Sequence, residues 1–120
     1  MRPPSRVAQF HVAVDERFSF LLKRGFRVVE RVADERYNYA NVLFAGEGVR
    51  IFLDWEAGRG GDMQAKLCDK SLWPMLAAEG LWRDSGYDYS GYSIEAMQHG
   101  LDRVATFLKG HENALGLLLD

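Results

Sequence analysis

The sequence predicts an α+β domain: an N-terminal helix, a four-stranded antiparallel meander, and C-terminal helices packed on one face of the sheet. Three observations predict it. Apolar residues recur at helical spacing near both ends of the chain. Between Phe26 and Cys68 they alternate with polar residues at period two, and turn-forming clusters divide that region into four short segments.

Residues 1–5 read as a loose lead-in, with Ser5 placed to cap the first helix. From there Val7, Phe10, Val14, Phe18, Leu21 and Leu22 project within a wheel arc of roughly 120°. Lys23 and Arg24 bring positive charge to the carbonyl end, and Gly25 is the expected residue just past the last turn.

In the sheet, a two-residue turn at Gly46 and Glu47, with Gly first as a type II′ hairpin requires, sets Phe44 opposite Val49, Val42 opposite Ile51, Ala40 opposite Leu53 and Asn38 opposite Trp55. A three-residue loop of Gly58, Arg59 and Gly60 sets Trp55 opposite Met63, Leu53 opposite Ala65 and Ile51 opposite Leu67. A loop of Asp34, Glu35 and Arg36 aligns Phe26 with Phe44 and Val28 with Val42, at the expense of pointing Glu30 inward opposite Ala40. These registers gather the apolar residues on one face. The other face is expected to be wet, carrying Arg27, Val29, Arg31, Tyr37, Tyr39, Asn41, Leu43, Arg50, Phe52, Asp54, Glu56, Asp62, Gln64, Lys66 and Cys68.

After Cys68 the periodicity breaks. Ser71 to Trp82 holds a short helix, with Pro74 as a possible first helical residue and Gly80 as its stop. Residues 83–93, with DSGYDYSGYS from Asp84 to Ser93, form a loop whose large groups are Tyr87, Tyr89 and Tyr92. Ser93 caps a long helix that buries Ile94, Met97, Leu101, Val104, Ala105 and Leu108, with Glu95 in its first turn and Lys109 and Gly110 at its end. The leucine-rich stretch His111 to Asp120 is expected to dock on the body or on another subunit.

At 120 residues, 48% hydrophobic and 27% charged, the chain suits one domain over 1–120, with a core of its own. A net charge of −2 offers no basic field for a phosphate backbone, so nucleic acid is not an expected ligand. One cysteine excludes an internal disulfide, and no CxxC pair suggests zinc. No stretch reads as a secretory signal or a membrane span, so the expected location is the cytoplasm, with no membrane partner. No cofactor or resident metal is expected.

The candidate chemistry is sparse. His11 lies four residues before Asp15 in the apolar arc of the first helix, a spacing open to an acid/base or metal pair, although a half-buried histidine bonded to its surroundings is the preferred reading. His99 and His111 read as surface residues, and they lack the i,i+4 spacing of zinc-binding helices. Cys68 stands beside Arg50 with no base placed near it, and reads as structural. The GRGGD run from Gly58 to Asp62 lacks the Lys and Ser/Thr of a phosphate loop and joins two strands.

The acidic cluster says more. Glu56 falls opposite Asp62 with Asp54 next on the same face, and like charges so placed cost stability. A divalent cation, a basic partner protein anchored by Tyr37 and Tyr39, or neutralisation by Arg59, Arg31 and solvent would each relieve it. Tyr87, Asp88 and Tyr89 belong with this surface in kind, because Tyr, Ser, Gly and Asp make adaptable contacts; covering the open end of the core is the alternative.

The segments FSFLLKRGFRVVE and YNYANVLFAGEGVRIFLDWE carry a resemblance. Through Phe18, Leu21, Gly25, Phe26 and the alternating strands, roughly the first seventy residues resemble small bacterial immunity proteins of polymorphic or contact-dependent toxin systems. The resemblance implies a cytoplasmic, noncatalytic protein that binds and blocks one cognate toxin domain, often by an acidic surface against a basic nuclease, and it assigns no particular binding residue. Partner contact is then expected at Tyr37, Tyr39, Asp54, Glu56, Asp62, Tyr87, Asp88 and Tyr89. A dimeric, secretion-chaperone-like protein binding an effector segment through Leu43, Phe52 and the C-terminal leucines is the alternative. An enzyme, using His11 with Asp15 or the acidic trio with a metal, is a third reading, beside a small-molecule-binding protein.

Overall fold

The computed structural model describes residues 4–57, 62–81 and 93–115. Ser5 caps the first helix, α1 (Arg6–Lys23), its Oγ accepting from Ala8 N–H at 3.2 Å. The helix ends in a Schellman motif, in which Phe26 N–H returns to Leu21 O at 3.0 Å and Gly25 N–H to Leu22 O at 3.2 Å. Gly25 supplies the left-handed residue this closure needs, at φ +90°. Val7, Phe10, Val14, Phe18 and Leu21 are buried as their spacing predicts; Leu22, at the margin of the arc, is 52% exposed.

The sheet follows as a meander of β1 (Arg27–Asp34), β2 (Tyr39–Gly46), β3 (Val49–Glu56) and β4 (Asp62–Leu67), with a fifth strand, β5 (Lys70–Ser71), of two residues beyond the four expected. The β3–β4 register is the expected one, with Trp55 opposite Met63, Leu53 opposite Ala65 and Ile51 opposite Leu67. The Gly58–Gly60 loop that predicted it lies outside the described residues.

The β2–β3 hairpin turns one residue later than expected, at Glu47 and Gly48, so Val42 faces Leu53, Phe44 faces Ile51 and Ala40 faces Trp55. Gly48, not Gly46, takes the left-handed conformation, at φ +67°. Gly46 instead ends β2 against Phe26: a Cβ there would lie 3.0 Å from the Phe26 ring. The displacement changes each pairing by two residues, so both strands keep their faces.

The β1–β2 pairing departs further. Val28 faces Phe44, and the register then shifts between Val28 and Glu30, so that Glu30 faces Leu43 and Arg31 faces Val42. This bulge corrects the inward Glu30 of the sequence reading: Glu30 is exposed, and Arg31 turns to the helix side, where it reaches Asp15 and His11. The connection to β2 spans 35–38, with Asn38 at φ +50° and Tyr37 N–H bonded to Asp34 Oδ1 at 3.2 Å. Tyr37 is thus a turn residue, 66% exposed, and not a strand residue.

A second short helix, α2 (Trp73–Ala78), has Pro74 as its second residue and closes as α1 does, with Leu81 N–H bonded to Leu76 O at 2.8 Å. Ser93 caps the third helix, α3 (Ile94–Gly110), through Ala96 N–H at 3.0 Å, and α3 also buries Phe107, which its wheel face omitted. Helices α1 and α3 lie together, tied by Arg17 Nε to Asp102 Oδ1 at 2.5 Å. Their apolar sides form one core with Ala40, Val42, Phe44, Ile51, Leu53, Trp55, Met63, Ala65 and Leu67. Trp55 is fully buried, with Phe10 stacked on it at 6.2 Å and the Arg6 guanidinium 5.0 Å from its ring centroid.

The closure of α1 sets the angle at which the chain meets the sheet, so Gly25→Ala is expected to cost about 1–2 kcal/mol, the penalty of a Cβ in the left-handed region. Urea unfolding should show a lower midpoint at unchanged m-value; an unchanged midpoint would show that the turn relaxes freely.

Candidate binding face

With the helices on the inner face of the sheet, alternation sends Tyr39, Asn41 and Leu43 of β2, Arg50, Phe52, Asp54 and Glu56 of β3, and Gln64 and Lys66 of β4 to the outer face. Val32 of β1, opposite Asn41 beyond the bulge, joins them. Leu43, Phe52, Tyr39 and Val32 are half-buried there. Charge divides along β3: Arg50 and Lys66 lie toward the Glu47–Gly48 turn, and Glu56, opposite Asp62 as the register predicted, lies toward the other end, about 20 Å from Arg50 at strand rise.

At the centre is a connected polar group. Asn41 and Asp54 face each other and are 7% and 8% exposed. Asn41 Nδ2 donates to Tyr39 Oη at 3.1 Å, Tyr39 Oη–H donates to Asp54 Oδ2 at 3.3 Å, and Gln64 N–H donates to Asp54 Oδ1 at 3.1 Å. Asn41 Oδ1 is buried without a hydrogen-bond partner. Burial pushes the Asp54 carboxyl above its ordinary value, and Glu56 adds to this, against the two hydrogen bonds and the attraction of Lys66. Burial likewise raises the Tyr39 phenol, with the Asp54 charge acting the same way and the Asn41 bond opposing it.

This corrects the expectation of a wet acidic trio: Asp54 is a buried, bonded carboxylate, and Glu56 is the partly exposed one. Asn41 and Gln64, its immediate partners, were passed over because a single polar residue between apolar strand positions reads only as outward-facing. The corrected register, which pairs Asn41 with Asp54, is the signal that finds them. Tyr39 joins the group; Tyr37 stands apart in its turn, with the Arg36 guanidinium 5.5 Å from its ring centroid. Tyr87, Asp88 and Tyr89 lie outside the described residues.

The remaining candidates are engaged locally. His11 Nε2–H donates to Val32 O at 2.6 Å, and Arg31 Nη1 donates to Nδ1 at 3.3 Å, which fixes the neutral tautomer. Arg31 Nη2 pairs with Asp15 Oδ1 at 2.8 Å, so the guanidinium links the two residues that the i,i+4 spacing had paired directly. His99 is exposed. His111, expected as a plain surface residue, is half-buried, bonded through Nε2 to Glu79 Oε2 at 2.5 Å and packed against Phe107. Cys68 sits in the turn after β4 at φ +54°. Among the described residues no group of three His, Cys, Asp or Glu side chains could hold a metal ion, and no helix is long and apolar enough to cross a membrane.

Two titrations follow. Burial holds His11 below its ordinary 6.5, the Arg31 charge acting with it and the Val32 bond and Asp15 against it. The unfolded chain therefore takes up the proton first, and stability falls as pH drops below about 6.5. Thermal unfolding between pH 7.5 and 5.5 should show a smaller loss of Tm for His11→Gln than for the native chain; equal slopes would remove His11 as the cause. Asp54 has the opposite sign. Its raised pKa means the folded chain keeps a proton that the unfolded chain releases near 3.8, so stability falls as pH rises through that window. Asp54→Asn keeps an acceptor for Gln64 N–H and should gain Tm over the native chain by more at pH 7 than at pH 4. Asp54→Ala, which orphans that N–H, should lose about 1–3 kcal/mol. A pH-independent offset for Asp54→Asn would contradict the assignment.

No family model, no curated protein and no solved structure matches this chain.

Proposed function

We propose that the chain is a noncatalytic protein-binding domain that receives a basic partner on the outer face of its sheet, as an immunity protein receives its cognate toxin domain. The supporting observation is the outer face itself: half-buried Tyr39, Leu43 and Phe52 lie beside a carboxylate-bearing end where Glu56 stands opposite Asp62. Like charges held opposite each other are relieved by a cationic partner, and their field speeds its approach. Tyr37, exposed in the neighbouring turn, supplies an aromatic anchor of the kind that dominates interface energies. Asp54 acts from below, holding Tyr39 in place.

A second reading, a dimeric chaperone-like protein, draws on half-buried Leu43 and Phe52 on the same face.

The test is capture of the partner from a lysate of the source organism, followed by an assay of whether the chain silences the captured domain's toxicity. The paired Glu56→Lys and Asp62→Lys substitution should weaken that complex at least tenfold at low salt, with the loss shrinking as salt rises. Unchanged affinity would reject the acidic end as the contact. Recovery of the bait alone, with a concentration-dependent dimer in sedimentation, would reject the immunity reading in favour of the second.

A further inference from the structure

The other end of the outer face has a shape of its own. Leu43, Arg50, Phe52, Lys66, Cys68 and Asp69 line a hollow of about 250 Å³. Its floor is apolar, made by the half-buried side chains of Leu43 and Phe52. Its walls are cationic. Lys66 faces Phe52 across the ladder, and Arg50, two residues back on β3, is its diagonal neighbour at about 7–8 Å. Neither forms an ion pair with a described residue. Asp69, in the turn after β4, is the single acid of the lining.

The backbone around the hollow is tied down. Cys68 N–H donates to Arg50 O at 2.7 Å, and the Cys68 thiol lies 3.9 Å from Gly48 O. The Cys68 side of the lining is therefore anchored to β3 and to the 47–48 turn. Lys66 is also drawn toward Asp54, two positions along the neighbouring strand, which leaves Arg50 the less compensated of the two cations.

We propose that this hollow binds a small monocarboxylate with a single ring or short branched body, its carboxylate held between Arg50 and Lys66 and its apolar part on Leu43 and Phe52. The combination selects the class. Two cations over an apolar floor favour an anion that also has carbon surface to bury, and the planar fork of Arg50 matches a carboxylate. The hollow is small, about 250 Å³, and open to solvent, so a body of one ring or one branched chain is enough to cover its apolar floor. Asp69 across the rim disfavours a second negative charge. The hollow's cations lie at the opposite end of β3 from Glu56, its floor of Leu43 and Phe52 belongs also to the partner face, and its test needs no partner protein.

Cys68, the single cysteine of the chain, makes the site observable, because its alkylation by neutral iodoacetamide can be followed in the intact protein by mass. Benzoate is the probe, with benzamide as its uncharged counterpart. Saturating benzoate should slow alkylation at least threefold, benzamide should not, and Arg50→Ala should abolish the protection while Arg50→Lys retains part of it. Glu56→Gln, at the far end, should leave protection intact. Equal protection by benzoate and benzamide, protection by neither, or protection that survives Arg50→Ala would each overturn the proposal. The benzoate and benzamide comparison uses the native chain, so it stands even if a variant folds poorly.

Discussion

The burial of β3 is the constraint from which the rest of the structure follows. Ile51, Leu53 and Trp55 are fully enclosed, Trp55 between Phe10 of α1 and the strand neighbours Ala40 and Met63. A strand that buries every second residue so completely has no freedom to slip by one, because the slip would place Arg50, Asp54 and Glu56 in the core. The inner face thereby decides the outer one. Arg50, Phe52, Asp54 and Glu56 stand in a row because their neighbours are needed inside.

That coupling explains which parts of the fold were legible in the sequence. The β3–β4 register could be read because Trp55 opposite Met63 and Leu53 opposite Ala65 puts the large apolar side chains of both strands inside, whereas a slip of one residue would set Leu53 against Lys66. In the β2–β3 hairpin the faces could be read but the pairing could not. Alternation fixes parity, whereas of the two glycines that could turn the chain it is Gly48 that takes the left-handed conformation, and Gly46 lies under the Phe26 ring, a contact between residues that local pattern does not connect. The β1 bulge was visible only as a discomfort: an inward Glu30 was the sign that one residue had to be looped out, after which Glu30 reaches solvent and Arg31 finds Asp15. Caps at Ser5 and Ser93 and the stop at Gly25 were legible because their chemistry lies within four residues.

The candidate face was legible in composition and not in depth. Alternation places Asp54 on the outer face correctly, yet whether an outward residue in the middle of a sheet is wet depends on the bulk of its neighbours. Asn41 and Gln64 lie beside Asp54 in the ladder and Tyr39 is bonded to it, so a residue expected to be wet is 8% exposed. Burial is a collective property of four strands, which a strand-by-strand reading cannot supply. The hollow at Arg50 and Lys66 was hidden for the same reason, since its lining comes from three strands and a turn.

The buried polar group has a direction. Each bond in it serves the next: Asn41 donates to Tyr39, which donates to Asp54, which is held by the backbone of Gln64. Ionised Asp54 needs these donors, and the phenol can give its proton to Asp54 while accepting from Asn41 only if the Asn41 amide presents its nitrogen. Asn41 Oδ1 is then turned away from the Tyr39 hydroxyl and is buried without a hydrogen-bond partner among the described residues, an expense borne by the fold. Replacing the group by apolar side chains would remove that expense along with the orientation of the Tyr39 hydroxyl. A sheet whose inner face already supplies a continuous core has no packing need for Asn41 and Asp54 at these positions. What they add is a fixed orientation for Tyr39, the aromatic residue opposite Glu56 in the ladder, at the end of the face where the carboxylates gather.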